Sequence, residues 1–166
     1  MMSRVKRSVL FVCTGNICRS PAAEGVFRKL VADAGLGGLI SADSAGTHGY
    51  HVGAPPDHRM QMAAIARGYD LSGLRARRVG YNDFLRFDLI LAMDRDHQEL
   101  LAEFAPPTAT NKIHLFMEFG RRSERDEVPD PYYGGPEGFE LVLDLVEDAA
   151  EGLLETLRAE VEPAQR

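Results

Sequence analysis

The chain has 166 residues, of which 45% are hydrophobic and 27% charged, with a formal net charge of −6. That length suits one domain able to bury a core without staples, and the negative balance argues against general nucleic-acid binding. The basic start (Arg4, Lys6, Arg7) resembles the head of a signal peptide, but the apolar run behind it is too short for an export or membrane segment.

Val9 to Val12 is a continuous apolar run, the pattern of a strand buried on both faces. Ala23, Val26, Phe27, Leu30, Val31 and Ala34 follow at helical spacing, with Pro21 in the first turn and Gly35 as a stop. Leu39 to Ser44, Leu89 to Met93 and Lys112 to Phe116 read as further strands. Helices are predicted over Asp57 to Arg67, closed by Gly68, and over Asp94 to Phe104, where His97, Leu100, Leu101 and Phe104 share a face before Pro106. The last helix runs from Pro136 to beyond Leu157 on a stripe of Val142, Leu145, Val146, Ala149 and Leu153. Its acidic residues, among them Glu140, Asp144, Glu147, Asp148 and Glu151, read as a solvated outer face, and Glu162 to Arg166 as a frayed end. Alternating strands and helices imply an α/β fold: one domain over 1–166, with a four-stranded parallel sheet and helices on both faces, a three-layer α/β/α arrangement.

Between the first strand and the first helix lies Cys13 to Arg19. A loop in this place turns backbone N–H groups and the positive end of a helix dipole toward its centre, which makes an anion cradle. Such surroundings, with Arg19 at the loop's end, favour the thiolate, the nucleophilic form of cysteine. A hydroxyl at Ser20 is placed to donate to the same sulfur, and the planar fork of Arg19 suits two oxygens of a phosphoryl group. A bare C-x-x-x-x-x-R pair carries little information; its place between strand and helix, with Gly15 and Asn16 tolerant of left-handed backbone, gives it meaning. Both cysteines, Cys13 and Cys18, fall inside this loop, so neither can staple distant parts of the chain. Free thiols point to a reducing compartment, with cytoplasmic residence the default.

VCTGNICRSPAAEG resembles the active-site signature of the low-molecular-weight protein tyrosine phosphatases. The resemblance extends to DSAGTHGYHVG at Asp43 to Gly53, RARRV at Arg75 to Val79, DLILAMD at Asp88 to Asp94 and PDPYYGG at Pro129 to Gly135, in the family's order and spacing. It implies a metal-independent hydrolysis of phosphotyrosine with Cys13 as nucleophile, Arg19 holding the phosphoryl oxygens and Asp130 as general acid. The chemistry supplies a reason for an acid, since a phenolate leaves poorly unless it is protonated. Thr14, Gly15, Asn16, Ile17, Cys18 and Ser20 would complete the phosphate-binding loop, Asn16 and Ser44 would support it, and Ile17, Tyr50, Tyr132 and Tyr133 would wall the substrate pocket. Cys18 matches a cysteine that can pair reversibly with the nucleophile under oxidation, the alternative being a small buried apolar residue.

The family often has a histidine near the position of Leu74, in LSGLRARRV, and this chain has none there, which leaves part of the loop-supporting network incomplete. Arg75, Arg77 and Arg78 read either as a substrate rim or as a solvated face. The five histidines, His48, His51, His58, His97 and His114, are scattered without metal-ligand spacing and read as surface or packing residues; no metal or cofactor is expected. Tyrosine-phosphorylated proteins are the expected partners, with no membrane or nucleic acid. Rivals on the same fold are a phosphoarginine phosphatase, whose relatives carry threonine where Ile17 stands, and an arsenate reductase, which passes a disulfide along additional cysteines. A silent phosphate-binding module is the rival from another class.

Overall fold

The computed structural model describes residues 5–162, so all but Glu162 of the expected frayed end lies outside the described residues. The central strand β1, Arg7–Cys13, pairs in parallel with β2, Ile40–Gly46, on one side and with β3, Leu89–Ala92, on the other. A short β4, Ile113–Leu115, completes the order β2-β1-β3-β4, all parallel. Successive side chains of a strand point to opposite faces, and β1 feeds two cores. Val9, Phe11 and Cys13 enter one with α1, Arg19–Asp33, and α5, Pro136–Val161. Leu10 and Val12 enter the other with residues of a short α3, Tyr81–Arg86, and of α4, Arg95–Phe104. Phe11 meets the rings of Phe27 and Phe116 edge-on at centroid distances of 5.7 and 5.1 Å, a favoured aromatic geometry. The remaining helix, α2 at His58–Ala66, begins on the side chain of Asp57, which accepts from the Arg59 N–H at 2.8 Å. The three-layer α/β/α arrangement is thus present.

Two differences from the sequence reading concern polar residues. The acidic face of α5 is not simply solvated: Glu140, Asp144 and Glu147 surround the Arg67 guanidinium, and Tyr69 donates to Glu147 at 2.6 Å. Asp148 is buried, and its carboxylate accepts from the backbone N–H groups of Arg121, Arg122 and Ser123 at 2.9–3.2 Å. The Asp148 carboxylate thus holds the segment after β4 onto the helix, while the other three hold the segment after α2. No helix among the described residues is long and apolar enough to cross a membrane.

Chain reversal at β1 fixes where a ligand can sit. From β1 the chain moves to β2 on one side and returns by β3 on the other, so a crevice opens at the carboxyl end of β1. Cys13 is the last residue of that strand.

Candidate active site

The loop after β1 is held from outside by its own carbonyls. The carbonyl of Cys13 accepts from Thr47 at 2.8 Å, that of Thr14 from His48 at 3.0 Å, and that of Ile17 from Asp57 at 2.8 Å. In a planar trans peptide the N–H points opposite to the C=O. The amides of Thr14, Gly15 and Cys18 therefore face inward, a nest for an anion. The close approach needs glycine at Gly46, where a Cβ would stand 2.6 Å from the Thr14 carbonyl oxygen. Asn16 takes the left-handed turn, at φ 57°.

A buried relay fixes the direction of the hydrogen bond to the nucleophile. The Arg77 N–H donates to Asn16 Oδ1 at 3.0 Å, so Nδ2 faces the other way and donates to Ser20 Oγ at 2.8 Å and Ser44 Oγ at 2.9 Å. Each serine, having accepted, turns its own hydrogen onward. Ser44 donates to Glu24 Oε1 at 2.6 Å, and Ser20 faces Cys13 Sγ at 3.0 Å. Ser20 is thereby the donor and Cys13 the acceptor, an arrangement that favours thiolate. Burial raises the pKa of Glu24, opposed by the Ser44 hydrogen bond and by Arg28, whose guanidinium lies 2.8 Å away. Leu74 packs on the main core, and the relay closes without a histidine there.

Arg19 is buried in the first turn of α1. Its Nη1 donates to Asp94 Oδ2 at 2.9 Å and to the Val128 carbonyl at 3.0 Å, which leaves Nη2 on the side of Asp130, 3.9 Å from Oδ2. Asp130 stands at the mouth, half-exposed, with Oδ1 accepting the Tyr132 N–H at 3.0 Å. Cys13, Thr14, Gly15, Ile17, Cys18, Arg19, Tyr50, His51, Asp130, Tyr132 and Tyr133 line one cleft of about 330 Å³. Asn16, Ser20 and Ser44 lie behind it as the relay. Tyr50 stacks on His48 with centroids 5.0 Å apart, and Tyr132 meets Tyr133 edge-on. Burial, then the charges of Asp57, Cys13 and Asp130, push the Cys18 thiol up, so it stays protonated.

None of the three arginines read as a possible rim lines this cleft. Arg77 is spent on Asp43 and Asp83, each at 3.0 Å, and Arg75 on the carbonyls of Ser72 and Leu74. Arg78 lines a different cleft, of about 320 Å³, with Val79, Tyr81 and Phe104, which holds no nucleophile. Residues that sequence reasoning missed are Asp94, Glu24, His51 and Arg59. Arg59 donates to the Tyr132 carbonyl at 2.9 Å and stacks beneath that ring, tying the Asp130 segment to α2. Asp94 carried a signal, as the helix-capping Asp that follows a strand. Among the described residues no group of three or more His, Cys, Asp or Glu is placed to hold a metal ion.

A sequence profile for the low molecular weight phosphotyrosine protein phosphatases matches residues 8–163. The chain belongs to this family. Among its relatives, a putative low molecular weight protein-tyrosine-phosphatase of Synechocystis is 49% identical over 154 residues, covering 92% of this chain and 98% of that one. The human low molecular weight phosphotyrosine protein phosphatase is 42% identical over 144 residues, 86% of this chain and 90% of its own. In three dimensions a protein tyrosine phosphatase of Entamoeba histolytica, crystallised with Hepes in the active site, superposes with a TM-score of 0.90 at 43% identity, covering 92% of this chain and 97% of that one. The family resemblance read from the loop and the later motifs therefore holds over nearly the whole chain.

Proposed function

We propose that this chain, as a single domain, hydrolyses phosphotyrosine in proteins in two steps. The observation that carries the reading is the directed donation of Ser20 to Cys13 Sγ at 3.0 Å, at the floor of a cleft with Arg19 and Asp130 on its wall. The thiolate attacks phosphorus in line; an S–P bond forms as the P–O bond to the tyrosine ring breaks, and Asp130 gives its proton to the departing oxygen. The inward amides of the loop and Arg19 hold the three equatorial oxygens, whose charge they meet with oriented dipoles and a fixed cation. Water then enters from the vacated side and Asp130 takes its proton. An O–P bond forms, the S–P bond breaks, and inorganic phosphate leaves with the Cys13 thiolate restored.

Ile17, Tyr50, Tyr132 and Tyr133 support a flat aromatic substrate, since aromatic and aliphatic walls favour a phenyl ring over the short stem of serine. Cys18, kept as a thiol, is the partner we assign to oxidised Cys13: a sulfenic acid at Cys13 condenses with it to a disulfide and water, which protects the nucleophile from further oxidation. Retention of full thiol-reversible recovery from peroxide in Cys18→Ser would remove that role. The proposed setting is the cytoplasm, with tyrosine-phosphorylated proteins as partners and neither membrane nor nucleic acid.

A turnover panel tests the substrate assignment. Phosphotyrosine peptides are expected to turn over, while phosphoserine and phosphoarginine peptides, and arsenate with a thiol reductant, are expected to be poor. Faster release from phosphoarginine, or arsenite formation, would transfer the assignment to the corresponding rival, and phosphate binding without turnover would leave only a binding module.

A further inference from the structure

His97 is a side chain that the two-step reaction does not use, and it is almost wholly buried at the first turn of α4. Its ring lies between two parts of the cradle. Nε2 is 2.8 Å from Thr14 Oγ1, and Nδ1 is 3.0 Å from Asp94 Oδ1. The second contact is close but too poorly aligned for a full hydrogen bond, leaving Nδ1 without a proper partner. Asp94 Oδ1 also accepts the His97 backbone N–H at 3.0 Å, and Asp94 Oδ2 holds Arg19 at 2.9 Å. One ring thus touches both the residue after the nucleophile and the carboxylate that aims the arginine.

The tautomer follows from these contacts. A bare Nδ1 would set its lone pair against a carboxylate oxygen, so the proton belongs on Nδ1. Nε2 is then an acceptor, and the Thr14 hydroxyl must donate to it, turning its hydrogen away from the cleft. We infer that His97 is a positioning residue for the reaction: as a neutral acceptor it holds Thr14, and through Asp94 it keeps Arg19 in register with the nucleophile. Its surroundings support the neutral ring, since burial and then the Arg19 charge lower the His97 pKa well below the ordinary value, with Asp94 and Asp130 opposing and His48 adding to the lowering.

The inference rests on the phosphatase reading, and its test separates the two. In His97→Gln the side-chain oxygen reaches the place of Nε2 and accepts from Thr14; in His97→Leu a similar volume carries no acceptor. We expect kcat/KM of the Leu variant to fall at least about tenfold, equally for p-nitrophenyl phosphate and for a phosphotyrosine peptide, because the cradle rather than the acid is disturbed. The Gln variant should stay within about threefold of the parent. Thr14→Val should lose as much as His97→Leu, and the double variant no more than either alone. Equal losses in Gln and Leu, or losses in the double variant that multiply, would overturn the inference. A parent protein that fails to turn over either substrate would instead overturn the phosphatase reading.

Discussion

The cradle and the segment that carries Asp130 face each other across one cleft, yet they are built by opposite means. The cradle is continuous and backed by buried groups: Arg77, Asn16, Ser20, Ser44 and Glu24 pass hydrogen bonds in one direction, and the Arg19 side chain is only 4% exposed. The acid segment is a surface chain fastened at separate points. Asp148 holds Arg121 to Ser123, Arg95 reaches Asp126 and Glu127, Val128 donates to the Met93 carbonyl, and Arg59 holds Tyr132. The Asp130 side chain itself is 50% exposed. The contrast suits the two tasks. Charge stabilisation requires dipoles already aimed when the charge develops, whereas an acid that must approach substrate, then water, needs a solvated place and room to move.

Substitutions on either side separate the two constructions. Arg19→Ala, which removes a donor from the cradle, should lower kcat/KM by on the order of 10³-fold, and by the same factor for good and poor leaving groups. Asp130→Ala should act selectively. With a phosphotyrosine peptide, whose phenolate leaves poorly, the loss should be about 10²-fold or more, and with p-nitrophenyl phosphate much smaller. Equal losses for both would reassign the acid. Arg59→Ala loosens the acid segment and removes an ion pair to Asp57, whose backbone N–H still holds the Ile17 carbonyl, so it should cost about tenfold or less, again concentrated in the poor leaving group.

The smallest effect on turnover is expected at Asp148, the far anchor of the acid segment. Burial works to raise its pKa, but the N–H groups of Arg121, Ser123 and Arg122, with the Arg122 charge, outweigh burial and hold it below the ordinary 3.8. A folded-state pKa below the unfolded one means the stabilisation is present above about pH 4 and is lost as pH falls through the folded value. Asp148→Asn should therefore lower the unfolding free energy by about 1–3 kcal/mol at neutral pH. In urea titrations the gap between parent and variant should narrow on acidification, and a gap independent of pH would exclude the charge-assisted role.

What was legible in the sequence follows the same division. Apolar runs and helical spacing located all four strands and the longer helices, and the motif order placed Cys13, Arg19 and Asp130 around one cleft. The short α3 escaped because six residues are less than two turns, too few for a period to show. The 3-10 turns at Pro107–Lys112 and Phe116–Phe119 escaped for the same reason. Polar partners were hardest to read. Asp94, His97 and Arg59 act across contacts between separate elements, and spacing along one helix says nothing of what lies opposite. The acidic run of α5 failed in that way: its local pattern is amphipathic, while Arg67, Arg121 and Arg122, which meet it, come from elsewhere in the chain.

The central claim is a covalent intermediate on Cys13. The most direct measurement is rapid acid quench of the protein mixed with a radiolabelled phosphotyrosine peptide, followed by proteolysis and mapping of protein-bound phosphate. The account predicts label on the peptide containing Cys13, and none in Cys13→Ser. Turnover with no protein-bound phosphate, or label at another residue, would contradict it.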